Sequence, residues 1–356
     1  MNKTMMRVVG VILVIATFLL ISECAKKEKP ILGSGDAASA VYVAPGDYDE
    51  FYAFTSGGFS GQLGVYGLPS GRLFREIPVF SVDPENGYGF NEETKDMLKT
   101  SFGYIPWDDS HHPELSQTDG VTDGRWIFIN GNNTPRIARI DLKNFETAEI
   151  IEIPNSGGNH GSPFITQNSE YVVASTRFSV PIPQADVPID SYKENFGGTI
   201  SFIKVNPDDG HMNIEFQIIV PGYDYDLASG GKGPSHGWAF FTCYNTEQAN
   251  TLLEVNASKN DKDFIAAVNW KLAEKYLAEG KGKVRPGEHY TNRMNHTTHS
   301  AVSTRNKTVV TLDPADCPGL IYYMPTPKSP HGVDVDPSGE YIVGGGKLAA
   351  VVSVHS

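Results

Sequence analysis

Polar turns alternate with short apolar runs along most of the chain, and the runs are rich in β-branched and aromatic residues. DGRWIFING (123–131), NSEYVVAST (168–176), HGWAFFTCY (236–244) and PSGEYIVGGG (337–346) each open on a turn and continue into a β-type run. Each is followed by a second such run: RIARIDL (136–142), GTISFIKVN (198–206), DFIAAVNW (263–270) and KLAAVVSV (347–354). DEFYAFTSGG and GQLGVYGLPSG (49–71) form an earlier pair. From Trp126 to Tyr171 is 45 residues, close to the length of one propeller blade. The pattern predicts an all-β fold, a β-propeller with long insertions, and argues against βαβ units. A β-sandwich would struggle to use so many repeated units. One stretch has helical spacing: WKLAEKYLAEGKGK (270–283) predicts an amphipathic helix between strands. The final run, KLAAVVSVHS, reaches only the second strand of a four-stranded blade, so the reading is an incomplete propeller truncated at its C-terminus.

The first residues break the pattern. Lys3 and Arg7 precede an apolar run over 8–21, interrupted only by Gly10 and Thr17. That run is short for a membrane span and fits an export signal of the general secretory type, which predicts a periplasmic protein. The run ends Ile21-Ser22-Glu23-Cys24, similar to a bacterial lipobox. Cys24 is thus a candidate lipidation site, the alternative being an ordinary signal peptide cut nearby. The division that follows is a signal over 1–24, a linker over 25–44 that is charged and then rich in small residues, and a partial propeller domain over 45–356.

Net charge of −13 over 356 residues makes nucleic acid an improbable partner. The three cysteines, Cys24, Cys243 and Cys317, form no CxxC or CxxxC pair. A disulfide framework, a cysteine zinc site and a dinuclear copper–thiolate site are therefore not encoded in this stretch.

The ten histidines carry the chemistry. Three precede glycine: His160 in NHGSP, His236 in PSHGW and His331 in SPHGV. In a propeller, loops from different blades converge on the central channel, so histidines distant in sequence can meet around one metal. Neutral imidazole suits copper, zinc, iron or nickel. WDDSHHPELS (107–116) holds the adjacent pair His111 and His112 ahead of Pro113. A Pro-bounded loop there frees both rings from strand alternation, so both can turn inward. Asp109 is placed to orient a ligand ring or a bound water. His211, in the turn DDGHM, reads as a hydrogen-bonding surface residue, as do His289 and His355. His296 and His299 in NHTTH have metal-pair spacing but no helical surroundings.

Taken together, DDSHHPELS, TDGRWIFINGNNTPRIARIDLKNFET, NHGSPF, TCYNTEQANTLLEVNASKNDKDF and PTPKSPHGVDVDPSGEYIVGGGKL resemble nitrous oxide reductase, in its Sec-exported branch, from about residue 45 onward. The resemblance implies a seven-bladed propeller whose hub holds a four-copper sulfide cluster on seven histidines. It also implies a C-terminal cupredoxin domain with a dinuclear copper centre, absent from these residues. The family reduces nitrous oxide to dinitrogen and water, takes electrons from a periplasmic cytochrome c or cupredoxin, and works as a homodimer. His111, His112, His160 and His331 match four of the copper ligands, and Asp109 matches an acid beside the cluster. Glu114 stands where some branches have a further histidine. Tyr244, Glu247 and Asp261 match ligands of a structural calcium. With only part of the site, the chain alone is expected not to turn over. Two other readings remain open on the residues themselves: a non-catalytic exported scaffold whose histidines are incidental, and a calcium-dependent propeller hydrolase such as a lactonase, which would need hub carboxylates.

Overall fold

A computed structural model describes residues 37–100, 103–161, 163–182, 187–244, 263–287 and 308–356. The chain divides into two compact units, residues 1–53 with 67–72, and residues 54–66 with 73–356. In the smaller unit the Asp49 carboxylate accepts from the Ser70 amide and hydroxyl and from Arg72 Nη2, which closes the turn around Ser70.

The larger unit is built from largely antiparallel sheets that follow one another along the chain. Ser110–Thr118, Val121–Gly131, Arg136–Asp141 and Glu146–Glu152 form a four-stranded meander in chain order. Its first hairpin turns on Asp119-Gly120, both at positive φ (52° and 75°). Aspartate and glycine tolerate that conformation, and its twist matches the flanking strands. The next sheet takes Phe164–Ile165, Tyr171–Ser175, Phe196–Val205 and Met212–Pro221 in order. It is extended by Thr308–Leu312, which runs parallel to Met212–Pro221, and then by Lys283–Pro286. A fourth sheet orders Asp224–Gly230, Trp238–Tyr244, Phe264–Asn269 and Ile321–Pro325. The last is Pro330–Val335, Ile342–Gly346 and Val352–His355. Residues 62–66 pair with Leu73–Pro78 in the first. Five sheets of three or more strands thus occur among the described residues.

Each apolar core lies between two consecutive sheets, as blades of a propeller require. Leu63 and Ile77 of the first sheet meet Ile127, Ile129 and Ile140 of the second. Trp126, Phe128 and Ile137 meet Val172, Ile203 and Ile214 of the third. Phe202 and Phe216, stacked with centroids 4.7 Å apart, belong to the core shared with Phe241 and Val268 of the fourth. Phe240 and Ile265 meet Val333, Val335 and Ile342 of the fifth. Burying each large side chain of this kind contributes about 1.5–3 kcal/mol. The fold is an all-β propeller arrangement, as the repeat pattern predicts.

Two local expectations are revised. The helix over 270–283 spans Trp270–Ala278, with Asn269 accepting from the Leu272 amide as its N-cap. It stops early because Gly280 adopts φ 76°. The amides of Gly280 and Lys281 then bond back to the carbonyls of Leu277 and Tyr276, the pairing that closes a helix on a left-handed glycine. The second revision concerns the histidine pair, which lies in a strand and not in a loop.

Candidate metal centre

His111 and His112 belong to the strand Ser110–Thr118. A regular strand would send their rings to opposite faces. The pairing with Val121–Gly131 is interrupted here: His111 faces Asn130 and Glu114 faces Phe128, so His112 and Pro113 together oppose Ile129 alone. This is a β-bulge, and His112 sits in it at φ 44°. The extra residue cancels the alternation, and the two ring centroids lie 5.3 Å apart.

His160 arrives from the loop between the second and third sheets. Its carbonyl and that of Asn159 accept from the Asn130 side-chain amide at 3.1 and 2.7 Å. Asn130 is the register partner of His111, so one buried residue ties both histidines together. The His160 ring stands 5.4 Å from His111 and 5.4 Å from His112. One ligand atom from each of the three lies within 4.8 Å of the others. His331 stands next to this triangle, 6.5 Å from His160 by ring centroids. It also lies at a bulge, between the pairs Pro330–Gly346 and Gly332–Gly345. Thr242 Oγ1 donates to its carbonyl at 2.9 Å.

Two carboxylates back the rings. Asp109 Oδ1 lies 2.9 Å from His111 Nδ1. Asp226 Oδ1 lies 2.6 Å from His160 Nδ1, and its Oδ2 lies 3.6 Å from His331 Nε2. Neither Nδ1–H of His111 or His160 is well aligned with its carboxylate, but distance decides the proton's place. At this separation an unprotonated nitrogen would set a lone pair against an anion, so the hydrogen belongs on Nδ1 and Nε2 is left as the donor. Asp226 is absent from the sequence reading. It too occupies a bulge, between the pairs Tyr225–Cys243 and Ala228–Phe241, and its side chain is fully buried. YDYDLASG carries no motif that marks it. Only the fold brings residue 226 beside residue 160.

Gly161 explains the Asp226 contact. A Cβ at that position would overlap the backbone of Asp226 and Leu227. The glycine of NHG is therefore required by the passing strand. The glycine after His331 has open space around it, and the one after His236 holds φ 105° against Lys271. The three His-Gly pairs thus differ in what surrounds the glycine.

The surroundings of His112 favour its neutral form. Burial, followed by the neighbouring His160 and His111, pushes His112 down to about 4, with Asp226 pulling the other way. Its Nε2 is buried and has no hydrogen-bond partner among the described residues. Three ring nitrogens converging at this spacing, two of the rings with carboxylates behind them, fit a metal ion of the kind imidazole suits: copper, zinc, iron or nickel. Burial pushes the Glu114 carboxyl up to about 7 against the pull of Lys232.

Other histidines fall elsewhere. His211 Nδ1 lies 2.9 Å from Glu149 at the surface. His236 Nε2 lies 2.9 Å from Glu170, its ring against Trp270, so its His-Gly signature marks a contact outside the triangle. His355 ends the strand Val352–His355. His289, His296 and His299 lie outside the described residues, as do Glu247, Asp261 and Cys24. Tyr244 ends the strand Trp238–Tyr244.

No family model matches the chain. Among curated proteins, the nitrous-oxide reductase of Pseudomonas fluorescens is 32% identical over 321 residues, 90% of this chain and 46% of its own length. That of Stutzerimonas stutzeri is 30% identical over the same shares. That of Cupriavidus necator is 29% identical, over 89% of this chain and 47% of its own length. The chain therefore spans about half the length of the relatives it matches. Over about nine-tenths of its residues, the chain is a sequence relative of the nitrous-oxide reductases, matching a portion of that family.

Proposed function

We propose that this chain carries part of a copper site for the two-electron reduction of nitrous oxide to dinitrogen and water. The observation that carries the reading is the triangle of His111, His112 and His160 with Asp109 and Asp226 behind it, in a chain related to nitrous-oxide reductases. His111, His112, His160 and His331 hold the metal, in the family a four-copper sulfide cluster completed by ligands outside these residues. Bound copper supplies the electrons and the binding surface that an inert substrate needs. The protein's own part is positional. Asp109 and Asp226 keep protons on Nδ1 and so present Nε2. Strands hold His111, His112 and His331, and the Asn130 side chain ties the His160 loop to them, in the geometry that metal binding requires. The apolar cores between sheets limit rearrangement around them. The complete enzyme works as a periplasmic homodimer supplied by a cytochrome c or cupredoxin donor, and the N-terminal residues serve export, with Cys24 as the lipid-bearing residue.

The test is a copper(I) titration of the metal-free chain under a competing chelator. Wild type binds copper, and the triple variant His111→Ala, His112→Ala, His160→Ala loses at least about a hundredfold in affinity. Equal binding by the triple variant overturns the reading.

A further inference from the structure

Behind Asp109 lies another layer of polar contacts. Asn132 Nδ2 donates to Asp109 Oδ2 at 3.1 Å, and the Asn132 amide donates to the Asp109 carbonyl at 2.8 Å. Asn132 is buried, so its amide has no alternative partner in water. Its Oδ1 accepts from Arg177 Nη1. A guanidinium cannot accept a hydrogen bond, so it fixes which end of the Asn132 amide faces which neighbour. The Asn132 NH2 must then point at Asp109. That occupies Oδ2 and leaves Oδ1 facing His111 Nδ1. No ion pair joins Arg177 to a carboxylate among the described residues, and its Nε is buried without a hydrogen-bond partner there. Its guanidinium lies over the Phe178 ring, 4.9 Å from the centroid, and the hydrogen bond to Asn132 is its link to this relay. The Arg177 backbone amide separately donates to Gly158 at 2.7 Å, in the loop that carries His160.

We infer that Arg177 and Asn132 are positioning residues for His111, acting through Asp109. The inference rests on the copper reading for its functional meaning, but its physical content, the tautomer and orientation of one ring, exists without metal. A change of the Arg177 side chain leaves the backbone bond to Gly158 in place. It therefore reaches His111 and spares His160, whose partner is Asp226.

The experiment uses the full chain as wild type, Asn132→Leu, Arg177→Met, Arg177→Lys and the double variant Asn132→Leu/Arg177→Met. Ring-nitrogen chemical shifts of His111 and His160 are read in metal-free, 15N-labelled protein, and circular dichroism checks each fold. Copper(I) alone is then titrated. In wild type His111 is the Nδ1–H tautomer. In Asn132→Leu and Arg177→Met it moves toward a mixture, while His160 stays unchanged. Copper affinity falls about 10–100-fold in Asn132→Leu and about tenfold in Arg177→Met, and Arg177→Lys restores most of it. The double variant matches Asn132→Leu, because Arg177 acts only through that residue. Unchanged His111 shifts in folded Asn132→Leu, equal movement of His160, or fully additive losses in the double variant would each overturn the inference. If wild type takes no copper while the His111 shifts respond as described, the copper reading falls and the positioning role stands.

Discussion

Gly161 is the residue on which the site's second carboxylate depends. The strand Asp224–Gly230 passes so close that any side chain at 161 meets the Asp226 backbone. Gly161→Ala is expected to cost about 3 kcal/mol, the upper range for inserting a methyl into filled space. It should also move Asp226 off His160. Gly332→Ala, the same change after His331, meets no atom within 4 Å and should shift stability by about 0.5 kcal/mol or less. Urea denaturation of the two variants checks the contrast, and similar midpoints would remove the steric explanation. At this scale the sequence displayed His160 and Asp109 openly, through NHG and DDSHH. It did not display Asp226, Asn130 or Asn132, since ordinary aspartates and asparagines acquire their meaning only from what folds against them.

Bulges are the elements that aim the site. His112, Asp226 and His331 each fall where one strand carries an extra residue. Deleting Pro113 restores one-to-one pairing between His111 and Glu114 and returns His112 to the opposite face. The expected outcome is loss of copper affinity by more than about tenfold with secondary structure retained, since strand pairing on both sides of the bulge is preserved. Titration together with circular dichroism decides it; unaltered copper binding would show that the bulge does not set the ring's direction. The twin histidines look like loop residues in the sequence because Pro113 and the period of two both argue against a strand. The bulge reconciles them with one, and bulges leave little trace in composition. The helix from Trp270 was legible in its apolar spacing, and its early end was legible in Gly280 only once the left-handed turn was seen.

Over the larger unit, each apolar core is shared by neighbours in the chain, so the sheets support one another in sequence. The histidines come from three separate places in this series: the second sheet, the loop after it, and the last sheet. A metal bound to all of them joins segments that the cores couple only pairwise. Copper at about a thousand times its Kd should add about 4 kcal/mol and raise the Tm by about 5–10 °C. The rise should vanish in the triple histidine variant; differential scanning calorimetry with and without copper measures it, and an equal rise in both proteins would locate the metal elsewhere. The sequence by itself determined the strand repeats, the all-β class, the candidate histidines and the family resemblance, because period, turn chemistry and short motifs are local properties. Tertiary structure decided which His-Gly pairs matter. It gathered 160 with 111 and 112, sent 236 to Glu170, and brought Asp226 and Arg177 into the support of the rings. Those outcomes depend on register shifts of one residue and on strands meeting across many positions, and neither is written in any single stretch of the chain.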